Sequence, residues 1–198
     1  MKPRLKQYLH HSLITLELTL MWALVSLLSL GLLLGPATVA LYHILFHLIH
    51  SNKRPDNLVL RFKKSLTMSL PQSVIFTLLS LGLMLLLYAV IFQIETTFLI
   101  ILIYFIFLEI LLMLLFSFPI MALFKHDKMR ILLRTSFLIA NMHGLTSILV
   151  VLLLVIMGLL AWAIHPLIIA IYLPLYFYLS TALYKRVLIQ YIAKEKKS

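Results

Sequence analysis

The chain has 198 residues, 63% hydrophobic and only 12% charged, with a mean hydropathy of +1.09 and a formal net charge of +11. A soluble domain is closer to half apolar and a quarter charged, and the apolar residues here gather in charge-poor runs of about 20, the length that crosses roughly 30 Å of hydrocarbon. A water-soluble globule is excluded, nucleic acid is not the partner that the basic excess points to, and the lack of cysteine removes disulfides, thiolate metal sites and cysteine nucleophiles.

The amino terminus begins with Lys2, Arg4 and Lys6 and runs into apolar sequence as a secretory signal does. The apolar part, Leu13–Leu34, is far longer than the roughly 7–15 residues of a signal core, and no A-x-A site follows. It reads as an uncleaved first span.

The next stretch, GPATVALYHILFHLIH from Gly35 to His50, decides the topology. If Pro36–Ile49 crosses the membrane, all 17 Lys and Arg fall on one side, in the amino terminus, the loop around Lys53–Lys64, the loop around Lys125–Arg134, and the carboxy terminus. If it only lies on the surface, the first three move across and face the other fourteen. The positive-inside rule favours crossing, with both termini cytoplasmic. Pro36 suits a first helical turn, and Gly35 permits a sharp reversal before it. Fourteen residues cover only about 21 Å, so such a span needs neighbours, a thinned bilayer or a histidine end that reaches the headgroups. An interfacial helix is the alternative.

Two basic segments look amphipathic. In Asn57–Leu70, Leu58, Phe62 and Leu66 recur every four residues while Arg61, Lys63 and Lys64 occupy the remaining face. In His126–His143, Arg130 and Arg134 stand one turn apart with Asn141 near the same face. Both fit helices on the cytoplasmic interface with the apolar side down, either as anchors to anionic lipid or as a docking surface formed by Arg61, Phe62, Lys63, Lys64, Arg130 and Arg134. The remaining spans are Gln72–Phe92, Phe98–Phe118, Leu145–Ile164 and Leu167–Tyr184. The expected fold is therefore all-α, a single transmembrane domain over residues 1–198, with six spans (the second short, beginning at Gly35-Pro36) and two interfacial helices. An internal echo links PATVALYH (Pro36–His43) with PIMALFKH (Pro119–His126), each followed by a basic amphipathic segment.

Few residues could carry chemistry. His43, His47 and His50 share a helical face at i, i+4 and i+7, but no Glu follows the first histidine as in H-E-x-x-H. A row descending towards the headgroups explains them, and no metal or other cofactor is expected. Glu109 lies about 18 Å below the outer end of its span, where a carboxylate costs several kcal/mol unless protonated, paired or facing a cavity. His47 falls at a similar depth, so Glu109 and His47 form a candidate intramembrane polar pair; a hydrogen bond to a neighbouring helix is the plainer reading of Glu109. Glu17 enters the first span near the cytoplasmic face, where it can snorkel or pair with the basic end. There is no nucleophile elbow, phosphate loop or paired-Asp motif, so no catalytic residue is assigned and an enzyme is not expected.

Gly35, Pro36, Ala37, Thr38, Ala40, Leu41 and Tyr42, followed by Phe62, Lys63 and Lys64 and then by FPIMALF at Phe118–Phe124, resemble the YesL-like family of small bacterial integral membrane proteins. His47 and His50 stand where that family tends to carry Arg or Lys, and the Trp of its cytoplasmic segment is missing here. The resemblance implies a multi-pass protein of the bacterial cytoplasmic membrane, without catalytic activity, that assists a carbohydrate ABC importer by packing against its permease subunits. The small residues Gly31, Gly35, Ala37 and Ala40 would permit close helix approach in such a complex. A self-sufficient small-solute transporter or channel with Glu109 on its pathway is the alternative.

Overall fold

The computed structural model describes residues 3–51, 57–68, 70–91, 96–124, 129–163 and 168–195. Its regular structure is entirely α-helical: α1 (Pro3–Leu28), α2 (Leu34–Ser51), α3 (Leu58–Met68), α4 (Leu70–Ile91), α5 (Thr97–Leu123), α6 (Met129–Met142), α7 (Gly144–Ala163) and α8 (Ile168–Glu195). Among the described residues, four segments are long and apolar enough to cross a membrane, namely His10–Leu28, Leu70–Ile91, Thr97–Leu123 and Gly144–Ala163; Leu34–His50 is apolar but shorter. Most of the expected outer loops, residues 93–95 and 165–166, and the start of the second amphipathic segment, 126–128, lie outside the described residues.

The first helix ends earlier than its apolar run. The Gly31 N–H donates to the Ser26 carbonyl (2.8 Å) and the Leu30 N–H to the Leu27 carbonyl (3.0 Å), the paired bonds of a Schellman ending. This places Leu30 at φ 52° and Gly31 at φ 84°. The reversal expected at Gly35 therefore lies four residues upstream, where Gly31 tolerates the positive φ and Leu30 adopts it against its own preference. Gly35 is instead already helical, and its missing side chain serves packing. A Cβ there would overlap the Thr77 hydroxyl and stand 2.7 Å from the Ser73 carbonyl oxygen, so α4 crosses α2 at a point only glycine allows.

α2 is the hub of the bundle. It packs against α1, α3, α4, α5 and α8, and Ala37, Ala40, Leu41, Ile44, Leu45 and Leu48 are completely buried. A helix lying flat on a membrane exposes one side to water and the other to lipid; this one is enclosed by helices. Neighbours thus shelter this short apolar helix, which packs from Gly35 beside Ser73 and Thr77 at the start of α4 to His43 beside Ser65 of α3.

The amphipathic helices also pack against the bundle. α3 folds back along α2, burying Leu58, Phe62 and Ser65, and α6 folds back along α5, burying Leu132, Ser136, Ile139 and Ala140. The stripes of Leu58 with Phe62 and of Leu132 with Ile139 thus cover protein, while Val59, Leu60, Ile131 and Leu138 stay exposed. The two echoed stretches sit differently in these elements: Pro36–His43 lies in the first part of α2, whereas the described part of the other, from Pro119 to Phe124, closes α5.

The last helix runs beyond the expected Tyr184 boundary to Glu195, and it lies parallel to α2. Tyr42 Oη and Ser180 Oγ are 3.2 Å apart at one level, and Lys185 Nζ donates to the Ile49 carbonyl (3.0 Å) at another. The lysine supplies a donor to one of the carbonyls that a helix end leaves without an intrahelical partner. α5 passes through Pro119, whose missing N–H deprives the Leu115 carbonyl four residues back of its donor. Tyr184 Oη donates to that carbonyl at 3.0 Å.

Candidate functional site

The family-like residues build a core. Tyr42 is buried, with its ring edge-on to Phe177 and Tyr184 and tilted on Phe46 (centroids 5.7, 5.8 and 6.3 Å). Phe116 meets Tyr184 edge-on at 4.9 Å, and Trp22 meets Phe177 at 5.3 Å. These are the offset geometries that the ring quadrupoles favour. Trp22 Nε1 donates to Thr38 Oγ1 at 2.9 Å, and Thr38 in turn donates to the Leu34 carbonyl at 2.7 Å, which stitches α1 to the start of α2. Thr15, Thr19, Thr77, Ser80, Ser117 and Thr181 likewise donate to the carbonyl four residues back, satisfying their hydroxyls without water. Gly35, Pro36, Ala37, Thr38, Ala40, Leu41 and Tyr42 are all buried, so the motif acts on the inside of the fold.

His43 reaches α3, where its Nδ1 lies 3.0 Å from Ser65 Oγ. The Arg61 guanidinium is close enough for its charge to act on both His43 and His47, a setting that opposes a second, metallic cation between them. His47 and His50 are exposed. Among the described residues no three His, Asp or Glu side chains come together as a metal-binding group.

Glu109 stands in α5 opposite α6. Asn141 Nδ2 donates to Glu109 Oε2 at 3.2 Å and to the Phe137 carbonyl at 3.1 Å. The hydrogen bond to a neighbouring helix that a mid-helix carboxylate calls for is therefore present, and its donor is Asn141, a residue singled out above only for sharing a face with Arg130 and Arg134. The separation in sequence explains the meeting. Glu109 lies 14 residues before the end of α5 and Asn141 12 residues after the start of α6, about 21 and 18 Å along the axes, so a hairpin brings them level.

The basic residues divide. Lys63, Lys64, Arg130 and Arg134 are exposed and Arg61 partly so, while Phe62 is 5% exposed and faces inward. Phe62 thus leaves the candidate docking set. Beside it, an apolar crevice of about 470 Å³ opens between α1 and α3, floored by Leu20, Met21, Leu24 and Val59, with Glu17 and Lys63 in its wall.

The aromatic partners in α8, Phe177 and Tyr184, and Phe116 of α5, were not among the sequence candidates. Their signal was the aromatic density of IYLPLYFYLSTALYKR from Ile171 to Arg186, which reads as plain hydrophobicity unless the polar ends of the tyrosines are given partners. No protein-family model, no curated protein and no solved structure matches the chain.

Proposed function

We propose that this is a six-span protein of the bacterial cytoplasmic membrane, both termini inside, acting as a non-catalytic accessory subunit of a carbohydrate ABC importer. The reading follows the YesL-like resemblance and the placement of all 17 basic residues on one side when α2 counts as a span. The observation that carries it is that one-sided placement of charge; the five helices around α2 support it only in that they shelter an apolar helix too short to cross alone. The exposed Lys63, Lys64, Arg130 and Arg134 remain as contact surface for the importer's permease subunits or for anionic lipid.

The self-sufficient transporter is the weaker reading, because Glu109 meets Asn141 on an exposed flank of the bundle. Two measurements separate them. Affinity purification of the tagged chain from its host in mild detergent should bring down the permease subunits of a sugar importer, and deletion should lower uptake of that sugar. Solute flux through liposomes containing this chain alone would reject the accessory role. For topology, single cysteines introduced into this cysteine-free chain at positions 6 and 53 should both resist an impermeant thiol reagent applied outside, whereas labelling at position 6 with protection at 53 rejects six spans.

A further inference from the structure

The crevice between α1 and α3 takes part in none of the contacts that hold the bundle. Among the described residues both helices pack on α2 and scarcely on each other. The gap is about 470 Å³, within the roughly 300–1,000 Å³ of small-molecule sites. Met21 and Leu24 of α1 and Phe62 and Leu66 of α3 line it, and Glu17 and Lys63 are its two charged residues.

The hairpin registers bring those two charges level. Trp22 meets Thr38 across the α1–α2 turn, so Glu17, five residues back along α1, comes level with His43, five residues on along α2. His43 meets Ser65, and Lys63 lies two residues away on α3, about 3 Å along the axis. From that level Met21 and Leu24 lead along α1 towards the turn before Gly35, which packs on Ser73 and Thr77 of α4. α3 ends at Met68 and the apolar segment of α4 begins at Leu70. The crevice thus stands at the end of a membrane-length helix, its charges on the far side and its apolar lining leading inward.

We infer that this crevice holds one phospholipid with an ethanolamine headgroup: an acyl chain along Met21, Leu24, Phe62 and Leu66, the phosphate at Lys63 and the ammonium at Glu17. The inference rests on α4 crossing the membrane and not on any importer. The opposite charges select the headgroup. Basic helices attract anionic lipid of any kind, but a carboxylate level with the lysine opposes a lipid of net negative charge and favours one that brings its own cation. An ethanolamine ammonium carries N–H donors for a carboxylate, and the quaternary ammonium of choline carries none. A carboxylate accepts at about four lone-pair sites, so Glu17 takes this donor alongside the contact it already makes. Arg61 acts instead on the α2 side, at His43 and His47. A peptide is a poorer occupant, because its backbone amides would enter an apolar crevice without partners.

The test is native mass spectrometry of the full chain, delipidated in mild detergent and titrated with phosphatidylethanolamine, phosphatidylcholine or phosphatidylglycerol of identical acyl chains. One ethanolamine lipid should bind about tenfold more tightly than either of the others. Glu17→Gln should abolish its advantage over choline and raise phosphatidylglycerol binding. Leu24→Trp, which fills the crevice from an exposed position, should remove the tight binding altogether. Thermal midpoints without lipid check the fold. If Glu17→Gln lowers its midpoint, Lys63→Gln at an exposed position replaces it and should weaken ethanolamine and choline lipids alike. Equal binding of the three lipids, a preference for phosphatidylglycerol in the unaltered chain, or tight ethanolamine binding that survives Leu24→Trp or the charge variants would each overturn the proposal. In vesicles, cysteines at positions 53 and 95 should label from opposite sides; labelling of both from one side would remove the bilayer placement on which the site depends.

Discussion

The α2–α3 and α5–α6 hairpins repeat one construction with opposite burial. In each, an apolar helix contains a Pro and an Ala-Leu pair, and a shorter basic helix folds back on it so that one polar side chain meets one polar side chain. In the first hairpin the pair is His43 with Ser65, on a helix enclosed by five neighbours. In the second it is Glu109 with Asn141, on a helix that leaves most of its length outside the bundle. The difference teaches that local sequence sets up the hairpin, while the number of helices wrapped around it decides whether its polar pair is structure or surface.

Mutations at matched positions sharpen this contrast. The largest effect should come from Tyr42→Ala, which opens a cavity among Phe46, Phe177 and Tyr184 and should cost about 3–5 kcal/mol by thermal or denaturant unfolding in detergent micelles. Tyr104→Ala in exposed α5 should change stability by less than about 0.5 kcal/mol. Equal losses at the two tyrosines would erase the distinction. Gly35→Ala comes next: its methyl group must push α4 off α2, at about 1–3 kcal/mol, whereas Gly158→Ala, with nothing within 4 Å of its new Cβ, should be neutral or slightly stabilising.

Tyr184→Phe follows. It keeps the ring packing but strands the Leu115 carbonyl that Pro119 has already deprived of its helical donor, so the same unfolding assay should show a loss of about 1–3 kcal/mol. Restoring a donor by Pro119→Ala should make that loss much smaller, and a loss of full size in the Ala background would mean that the Tyr184 hydroxyl matters for another reason. Smallest are the polar pairs themselves. Double-mutant cycles for His43–Ser65 and Glu109–Asn141 should each give coupling of about 0.6 kcal/mol, the average for hydrogen bonds inside membrane proteins. Coupling above about 2 kcal/mol at either pair would make it a dominant stabilising contact, contrary to the view that enclosure does most of the work.

How much of this was legible beforehand depended on whether the signal was local. The helical class, the apolar runs and the two amphipathic stripes are periodic features, and periodicity survives in sequence. The end of α1 was misplaced because Leu30 and Leu32–Leu34 continue the apolar run straight through the turn, leaving only Ser29 and Gly31 to mark it. Gly35 stands out in the sequence for a turn and for close approach to a partner's helix; the approach is instead to Ser73 and Thr77 of this chain, which lie some 40 residues away and leave no local trace. Phe62 joins the docking set only as a neighbour of Arg61, Lys63 and Lys64 in sequence, while its i, i+4 relation to Leu58 places it on the inward stripe. The meeting of Glu109 with Asn141 depended on two helices having equal reach from their shared loop, which requires knowing where both end.

The bond from Lys185 to Ile49 and the contact of Tyr42 with Ser180 also set a clock on how the molecule is made. Their partners are 136 and 138 residues apart, and at synthesis rates of about 5–20 residues per second the ribosome needs roughly 7–28 s to travel that distance. For all of that interval α2 exists without α8 along its side, with the Ile49 carbonyl uncapped and the Tyr42 ring facing whatever surrounds the nascent chain. Final closure of the hub therefore waits for α8, and insertion machinery or lipid must shelter this short apolar helix until α8 has been made.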